Sequence, residues 1–221
     1  MEYSIYFVRH GQTILNRYNR MQGWCDSPLT EKGIQDGHLA GKRLAEIKFD
    51  HAFHSDTTRA TKTCQYILEE NQFGQNQTTS TVPEFREEGY GYFEGADSAQ
   101  AWYMIGAAHE CKSFKEIIKN YSIEAAKDFA KEADPFHEAE NNEEFWERIN
   151  RGFAQLQSIA KDGDKMLVVS HGTTIRSIVG KFGKEFDITV GPQNGSVTKL
   201  TIKDDEIKVN YYGQVDLDAQ Y

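Results

Sequence analysis

Apolar and polar positions along the chain fall into short strand-like runs that alternate with longer helical stretches. Residues 4–8 form an apolar run that halts at Arg9-His10-Gly11, the pattern of a buried strand feeding a loop. The turn-rich segment Ser27-Pro28-Leu29-Thr30 offers Thr30 as an N-cap. Ile34, Leu39, Leu44 and Ile47 then follow at an imperfect helical spacing. Residues 50–54 predict a second strand, Ser55-Asp56 opens a helix through Leu68, and 79–82 predict a third strand. Residues 143–160 read as an amphipathic helix with Phe145, Trp146, Ile149, Phe153, Leu156 and Ile159 on one face. The most strand-like run, 166–170, is again halted by a His-Gly pair, His171-Gly172, and a helix over 174–182 follows. Two alternating runs, 197–202 and 207–212, flank Asp204-Asp205 and predict a terminal hairpin.

This succession predicts an α/β fold: a three-layer α/β/α sandwich with a mostly parallel central sheet and helices on both faces. Residues 1–221 read as a single domain, interrupted at about 96–142 by an acidic, alanine-rich helical insertion with helices near 113–120 and 123–131. In such sheets, ligands sit outside the carboxyl ends of the strands. Both His-Gly pairs stand at such ends, so the fold can bring them together.

Charge narrows the partners. The 25 Lys and Arg against 34 Asp and Glu give a formal net charge of −9. That balance argues against nucleic-acid binding, which rests on cations neutralising phosphates. Residues 84–147 hold 16 acids and 6 bases, so any basic pocket is local. No run approaches the ~18 apolar residues of a membrane span. The three cysteines, Cys25, Cys64 and Cys111, lack metal-type spacing, and their odd number fits a reducing compartment. With no leader-like N-terminus, the expectation is a cytoplasmic protein without a membrane partner.

The residues at the strand ends suit phosphoryl transfer. Such a site needs cations and N–H donors around three phosphoryl oxygens, an in-line nucleophile, and an acid for the departing oxygen. Neutral imidazole at His10 can attack phosphorus, while Arg9 can clamp two oxygens with its planar fork. Gly11 would let backbone approach a ligand. Arg59, on the opening turn of a helix, and His171, at another strand end, complete a cationic and donating shell.

Arg9-His10-Gly11-Gln12-Thr13, Asn16, Gln22-Gly23-Trp24 and Pro28-Leu29-Thr30-Glu31-Lys32-Gly33 together resemble the histidine phosphatase superfamily, of phosphoglycerate mutase-like fold. Ser55-Asp56 with Arg59-Ala60, Phe85-Arg86-Glu87 through Phe93-Glu94-Gly95, and Val169-Ser170-His171-Gly172 extend the resemblance in order. It covers roughly residues 4–95 and 144–202. It implies that His10 is the phosphorylated histidine and that Arg9, Arg59, His171 and Gly172 form the phosphate pocket with Asn16. It also implies that Glu87 is the proton donor and then the base for water. Gln22 and Thr13 fall in the loop on the substrate side. The resemblance implies no metal and no cofactor.

Other readings compete at several of these positions. Aligning the loop on Glu94-Gly95 puts Glu87, eight residues before Gly95, at the acid/base position, and leaves Glu88 as a solvated loop charge. Alone, Arg59 could be a surface residue paired with Asp56 or Glu69. Cys25 has no partner histidine and reads as a small loop residue, Cys64 as core. The insertion carries Lys112, Lys115, Lys119, Lys127 and Lys131, read as an outward face, and no arginine. A phosphoglycerate mutase would need cations there for the substrate carboxylate, so the expectation is a phosphatase acting on a small phosphomonoester. A mutase is the alternative, and a non-catalytic phosphate-binding module the lesser one. Tyr90, Tyr92, Phe93, Trp102 and Tyr103 are expected to give a pocket for an organic phosphate of some bulk. The terminal strands offer an edge for a homodimer.

Overall fold

In the computed structural model, which describes residues 1–217 and 219–221, six strands form one sheet. They are β1 (Glu2–Arg9), β2 (His51–His54), β3 (Thr79–Thr81), β4 (Lys165–Ser170), β5 (Val197–Lys203) and β6 (Glu206–Gln214). Their order across the sheet is β3-β2-β4-β1-β5-β6. The first four are mutually parallel, while β5 and β6 run antiparallel at one edge. The hairpin between β5 and β6 turns at Asp204 and Asp205, both with positive φ (47° and 69°), as a two-residue turn matched to strand twist requires.

The helices are α1 (Ile14–Arg17), α2 (Glu31–Arg43), α3 (Thr58–Glu70), α4 (Ser98–Gly106), α5 (Phe114–Asn120), α6 (Ile123–Ala133), α7 (Asn142–Ile159) and α8 (Gly172–Phe182). Alternation along β1 sends Ile5 and Phe7 to one face and Tyr6 and Val8 to the other. Ile5 and Phe7 join a core with Phe145, Ile149 and Leu156 of α7 and Ile175, Ile178 and Val179 of α8. Tyr6 and Val8 meet Ala40 and Leu44, in and just after α2, and Ala60, Cys64 and Ile67 of α3. Helices thus cover both faces of a mostly parallel sheet, as the strand–helix alternation predicts.

Three local expectations change. The buried face of α2 is Gly33, Asp36, Gly37, Ala40 and Gly41, while Leu39 faces solvent. The cause is close packing on α3: a Cβ on Gly41 would stand 2.6 Å from the carbonyl oxygen of Ile67. The helix near residue 55 starts later, capped by Thr57, whose side chain accepts from the amide of Ala60. In the insertion, α4 precedes α5 and α6, and together they hold a third core containing Phe93, Trp102, Ile105, Ile117 and Ala126. Lys127 does not face outward. It is fully buried, donates to the carbonyl of Ile123 at 3.1 Å and lies 4.6 Å over the ring of Phe145. Among the described residues, no helix is long and apolar enough to cross a membrane.

Candidate active site

Strand register assembles the site. Arg9 pairs with Ser170, and Val8 and His54 both pair with Val169, so β1, β2 and β4 end at one level. The next residues, His10, Ser55 and His171, therefore emerge side by side although 161 positions separate the two histidines. A cavity of about 310 Å³ opens there, walled by Arg9, His10, Asn16, Gln22, Glu87 and Gly172 among others. Of the sequence-predicted residues, these six reach it. Arg59 and His171 are fully buried in a layer behind, and Thr13 is likewise buried and supports Gln22.

The ring of His10 is held in one tautomer. Its Nδ1 lies 2.8 Å from the carbonyl oxygen of Gly11, which can only accept, so Nδ1 carries the hydrogen. Nε2 is left with its lone pair. Burial, then Arg59, then Arg9 hold the imidazole well below its ordinary range, so it is neutral at pH 7. Arg9 donates through Nη1 to the carbonyl of Pro192 at 2.7 Å, and its Nε, buried, has no partner among the described residues. Gly172 makes room for that guanidinium, because a Cβ there would stand 3.1 Å from Nε. Gly11 serves packing instead of ligand approach: its Cβ would fall 2.0 Å from the carbonyl oxygen of Gly33.

Behind His10, Arg59 is anchored by the carbonyls of Cys25 (2.8 Å) and Gly23 (2.7 Å) and the carboxylate of Asp26 (3.0 Å). Its ion-pair partner is thus Asp26, neither Asp56 nor Glu69. With the Gln22 amide oriented to suit its neighbours, Nε2 donates to Thr13 and Ser27 and Oε1 accepts from Arg59. Arg59 Nη2 donates to His171 Nδ1 at 3.1 Å, so His171 must use Nε2–H toward Ser55 Oγ at 2.7 Å. Burial and the same guanidinium hold His171 well below its ordinary range too. The two imidazole rings stand 5.0 Å apart, edge to face.

Glu87 sits against the first turn of α8. Its Oε1 accepts from the amides of Thr174 (2.9 Å) and Glu88 (3.0 Å) and the Thr174 hydroxyl (3.1 Å), whereas Oε2 accepts only from the Thr173 amide (2.9 Å). Oε2 therefore keeps acceptor capacity for a ligand. Glu87 is the single carboxylate in the cavity wall among the described residues. The loop carrying it is pinned by Arg148 of α7, which donates to the carbonyls of Glu84 (2.6 Å), Arg86 (3.2 Å) and Glu87 (3.1 Å). Arg148 also forms a two-bond pair with Glu140, at 2.7 and 2.6 Å. Glu94 ties this loop to the 23–25 loop by accepting from the amides of Gly23, Trp24, Cys25 and Tyr90.

Glu88 is not a solvated charge. Its side chain is fully buried and neither carboxyl oxygen has a hydrogen-bond partner among the described residues, because the pinned loop turns it toward Lys127 and the insertion. Burial pushes its carboxyl up to about 8. Cys25 keeps its bland reading: burial and the neighbouring Glu94 push its thiol up to about 12, leaving no thiolate at neutral pH. Of the aromatic set, Tyr90 and Trp102 line the cavity; Phe93 is core, and Tyr92 and Tyr103 face solvent. Motif reading missed Asn194, which donates to the carbonyl of His10 at 2.9 Å, and the cavity cations Arg20 and Arg176. None lies in a motif, though Arg176 falls one helical turn after Gly172, a spacing that puts both on one face of α8. Among the described residues, no three His, Cys, Asp or Glu side chains are grouped to hold a metal ion.

Known proteins are similar to this chain in sequence and in fold. A bovine (Bos taurus) fructose-2,6-bisphosphatase TIGAR is 30% identical over 207 residues, covering 81% of this chain and 76% of the relative. A phosphoglycerate mutase of Schizosaccharomyces pombe is 32% identical over 180 residues, covering 78% and 75%. The crystal structure of a phosphoglycerate mutase from Bacillus anthracis superposes with a TM-score of 0.91 at 33% identity, over 98% of this chain and 95% of that one. The sequence pattern of the histidine phosphatase superfamily (branch 1) matches residues 5–214, and the chain belongs to that superfamily.

Proposed function

We propose that this protein is a phosphomonoesterase that transfers the phosphoryl group of a small organic phosphate to His10 and then to water. The observation that carries the reading is the tautomer of His10: a neutral ring, Nδ1–H fixed on the Gly11 carbonyl, and a free Nε2 lone pair in a site rich in guanidinium groups. In the first step Nε2 attacks phosphorus as the ester P–O bond breaks, and the departing oxygen takes a proton from Glu87. In the second, the Glu87 carboxylate takes a proton from water, the hydroxide attacks phosphorus, and the P–N bond breaks to release phosphate. Arg9 faces the cavity and answers phosphoryl charge directly, while Arg59 raises the potential from behind and the neutral His171 accepts from its guanidinium.

Hydrolysis is favoured over mutation of the phosphate position by what the insertion brings to the cavity. It contributes Ser98, Trp102 and Phe114 and no cation, so nothing from that side neutralises a sugar-acid carboxylate. The second reading, a phosphoglycerate mutase, is supported by the similarity to enzymes of that name. The test is turnover of p-nitrophenyl phosphate and of 3-phosphoglycerate, with and without 2,3-bisphosphoglycerate. Phosphate release that disappears in His10→Ala, with trapped phosphohistidine in the parent, is the expected result. Rapid isomerisation that depends on the bisphosphate would overturn hydrolysis as the main activity.

A further inference from the structure

The plane of the peptide that joins His10 to Gly11 governs where the imidazole points, and side chains from two distant segments hold it. Its N–H donates to Thr63 Oγ1 of α3 at 3.0 Å, and that hydroxyl donates in turn to the carbonyl of Arg59 at 2.8 Å. Its carbonyl accepts from Asn194 Nδ2 at 2.9 Å. On the other side of the ring, the His10 amide donates to the carbonyl of Ser170 at 3.0 Å. Thr63 and Ser170 belong to a helix and a strand, whereas Asn194 stands on the loop that leads into β5. Pairing of Val8 with Val197 brings that loop beside the end of β1.

The loop is itself fixed. Its turn, 193–196, is closed by the Ser196 amide on the Gln193 carbonyl at 3.1 Å. Gly195 takes the third place with φ 70°, a conformation that favours glycine there, and a Cβ would stand 2.7 Å from the carbonyl oxygen of Asp36. The Gly195 amide donates to the carbonyl of Arg9 at 2.9 Å, and its carbonyl accepts from Arg43 at 3.0 Å. Backbone groups also set two amide orientations. The His10 carbonyl can only accept, so Asn194 turns its NH2 toward it. The Thr13 amide can only donate, so Asn16 turns Oδ1 toward it, at 3.2 Å. That oxygen also accepts from Asn194 Nδ2 at 3.4 Å. With Oδ1 occupied twice, the Asn16 NH2 is the end left for a ligand, and both asparagines line the cavity.

We propose that Asn194 is a positioning residue for phosphoryl transfer: through the His10 carbonyl it fixes the angle at which Nε2 meets phosphorus, and through Asn16 it presents an amide N–H to a phosphoryl oxygen. This role rests on the reading of His10 as the nucleophile. In-line attack tolerates little error, and a displacement of about 1 Å can cost on the order of a hundredfold in rate. A tetrahedral phosphate at rest needs less, because the guanidinium of Arg9 attracts it whatever the angle of the imidazole. Asn194 should therefore matter more to a five-coordinate ligand bonded to Nε2 than to a tetrahedral one beside it.

The probes are orthovanadate, which becomes five-coordinate against a ring nitrogen, and inorganic phosphate, which stays tetrahedral. Calorimetry gives both affinities for the parent protein, Asn194→Ala and Asn194→Asp. The parent should bind vanadate about a hundredfold more tightly than phosphate, as a mimic of the transition state does. Asn194→Ala should cut that ratio about tenfold or more while changing phosphate affinity by less than about threefold. Asn194→Asp has the same size and no hydrogen to donate, so it should lose at least as much of the ratio. Its added negative charge lowers both affinities, and the ratio removes that common effect. If Asn194 only filled space in the loop, the isosteric Asp would be milder than Ala and the ratio would stay as in the parent. A ratio within about threefold of the parent's in both variants, or one kept by Asp and lost by Ala, would overturn the proposal. Because binding is read without turnover, a failure to hydrolyse any ester would count against the phosphatase reading alone. A parent that binds vanadate no more tightly than phosphate would refute His10 as the nucleophile, and the role of Asn194 with it.

Discussion

Replacing Glu88 with Gln should change the pH dependence of stability in a defined direction. In the folded protein, burial without a hydrogen-bond partner pushes the carboxyl up to about 8, against an ordinary value of 4.5 in the unfolded chain. Between those values the folded state holds a proton that the unfolded state has released. Stability contributed by the neutral acid is therefore fully present below 4.5 and is lost as pH rises toward 8. Each pH unit in that window is worth about 1.4 kcal/mol, so moving from pH 5 to pH 7 costs the parent protein about 3 kcal/mol through this one group. Glutamine has the same shape and no proton to lose, so the Glu88→Gln protein escapes that slope. Its amide is buried too, at a pH-independent cost of about 1–3 kcal/mol, so the slope and not the intercept carries the result. Urea denaturation of both proteins at pH 5, 6, 7 and 8 measures it, with Glu88→Gln gaining on the parent at each step. Lys127, the cation that acts most strongly on Glu88, offers the competing arrangement of a buried ion pair. A difference between the two proteins that is flat from pH 5 to pH 7 would refute a neutral Glu88 and establish that pair instead.

Two further outcomes follow from the site geometry. Arg148→Met removes three bonds to the loop of Glu87 and leaves Glu140 buried without its partner, so it should destabilise by about 3–5 kcal/mol. It should also lower kcat more than it raises KM, as steady-state kinetics with p-nitrophenyl phosphate can establish; an unchanged kcat would mean that Arg148 does not position Glu87. Because burial and the Arg59 and Arg9 charges keep His10 neutral, kcat/KM should hold within about twofold from pH 7 to 5.5, where an ordinary imidazole would lose about eightfold. The same depression costs stability in acid: below 6.5 the unfolded histidine gains a proton that the folded one refuses. An acid limb at 6.5 in the pH–rate profile would refute the assigned state of His10.

Much of this was legible in the sequence because the informative residues stand where apolar runs stop. Strand ends at Arg9 and Ser170 are marked by His-Gly, and parallel pairing then brings the two ends together. The same reasoning placed Arg59 on the first turn of a helix that packs beside them. What periodicity conceals is the charge turned inward. Lys127 and Glu88 occupy positions that a helix or a loop normally gives to solvent, and only the docking of α6 against the loop of Glu87 buries both. Periodicity is equally blind to the glycine face of α2, where contact is made by backbone and no apolar side chain marks it. Asn194 and Arg148 act through backbone carbonyls, His10 for one and Glu84, Arg86 and Glu87 for the other, and such contacts leave no residue pattern near either partner.

The division of labour in the cavity follows from where each wall is anchored. His10, Arg59, Glu87 and His171 are held by strand register, by backbone carbonyls and by the amides of α8, none of which involves the insertion. The insertion supplies aromatic surface through Trp102 and Phe114, and braces Arg176 by stacking. Substitutions in α4 and α5 can therefore reshape what the cavity accepts while His10 and Glu87 keep their geometry. The buried Glu88 and Lys127 mark where that independence ends. They join the insertion to the loop of Glu87, so a change in how α6 docks reaches the cavity through that loop.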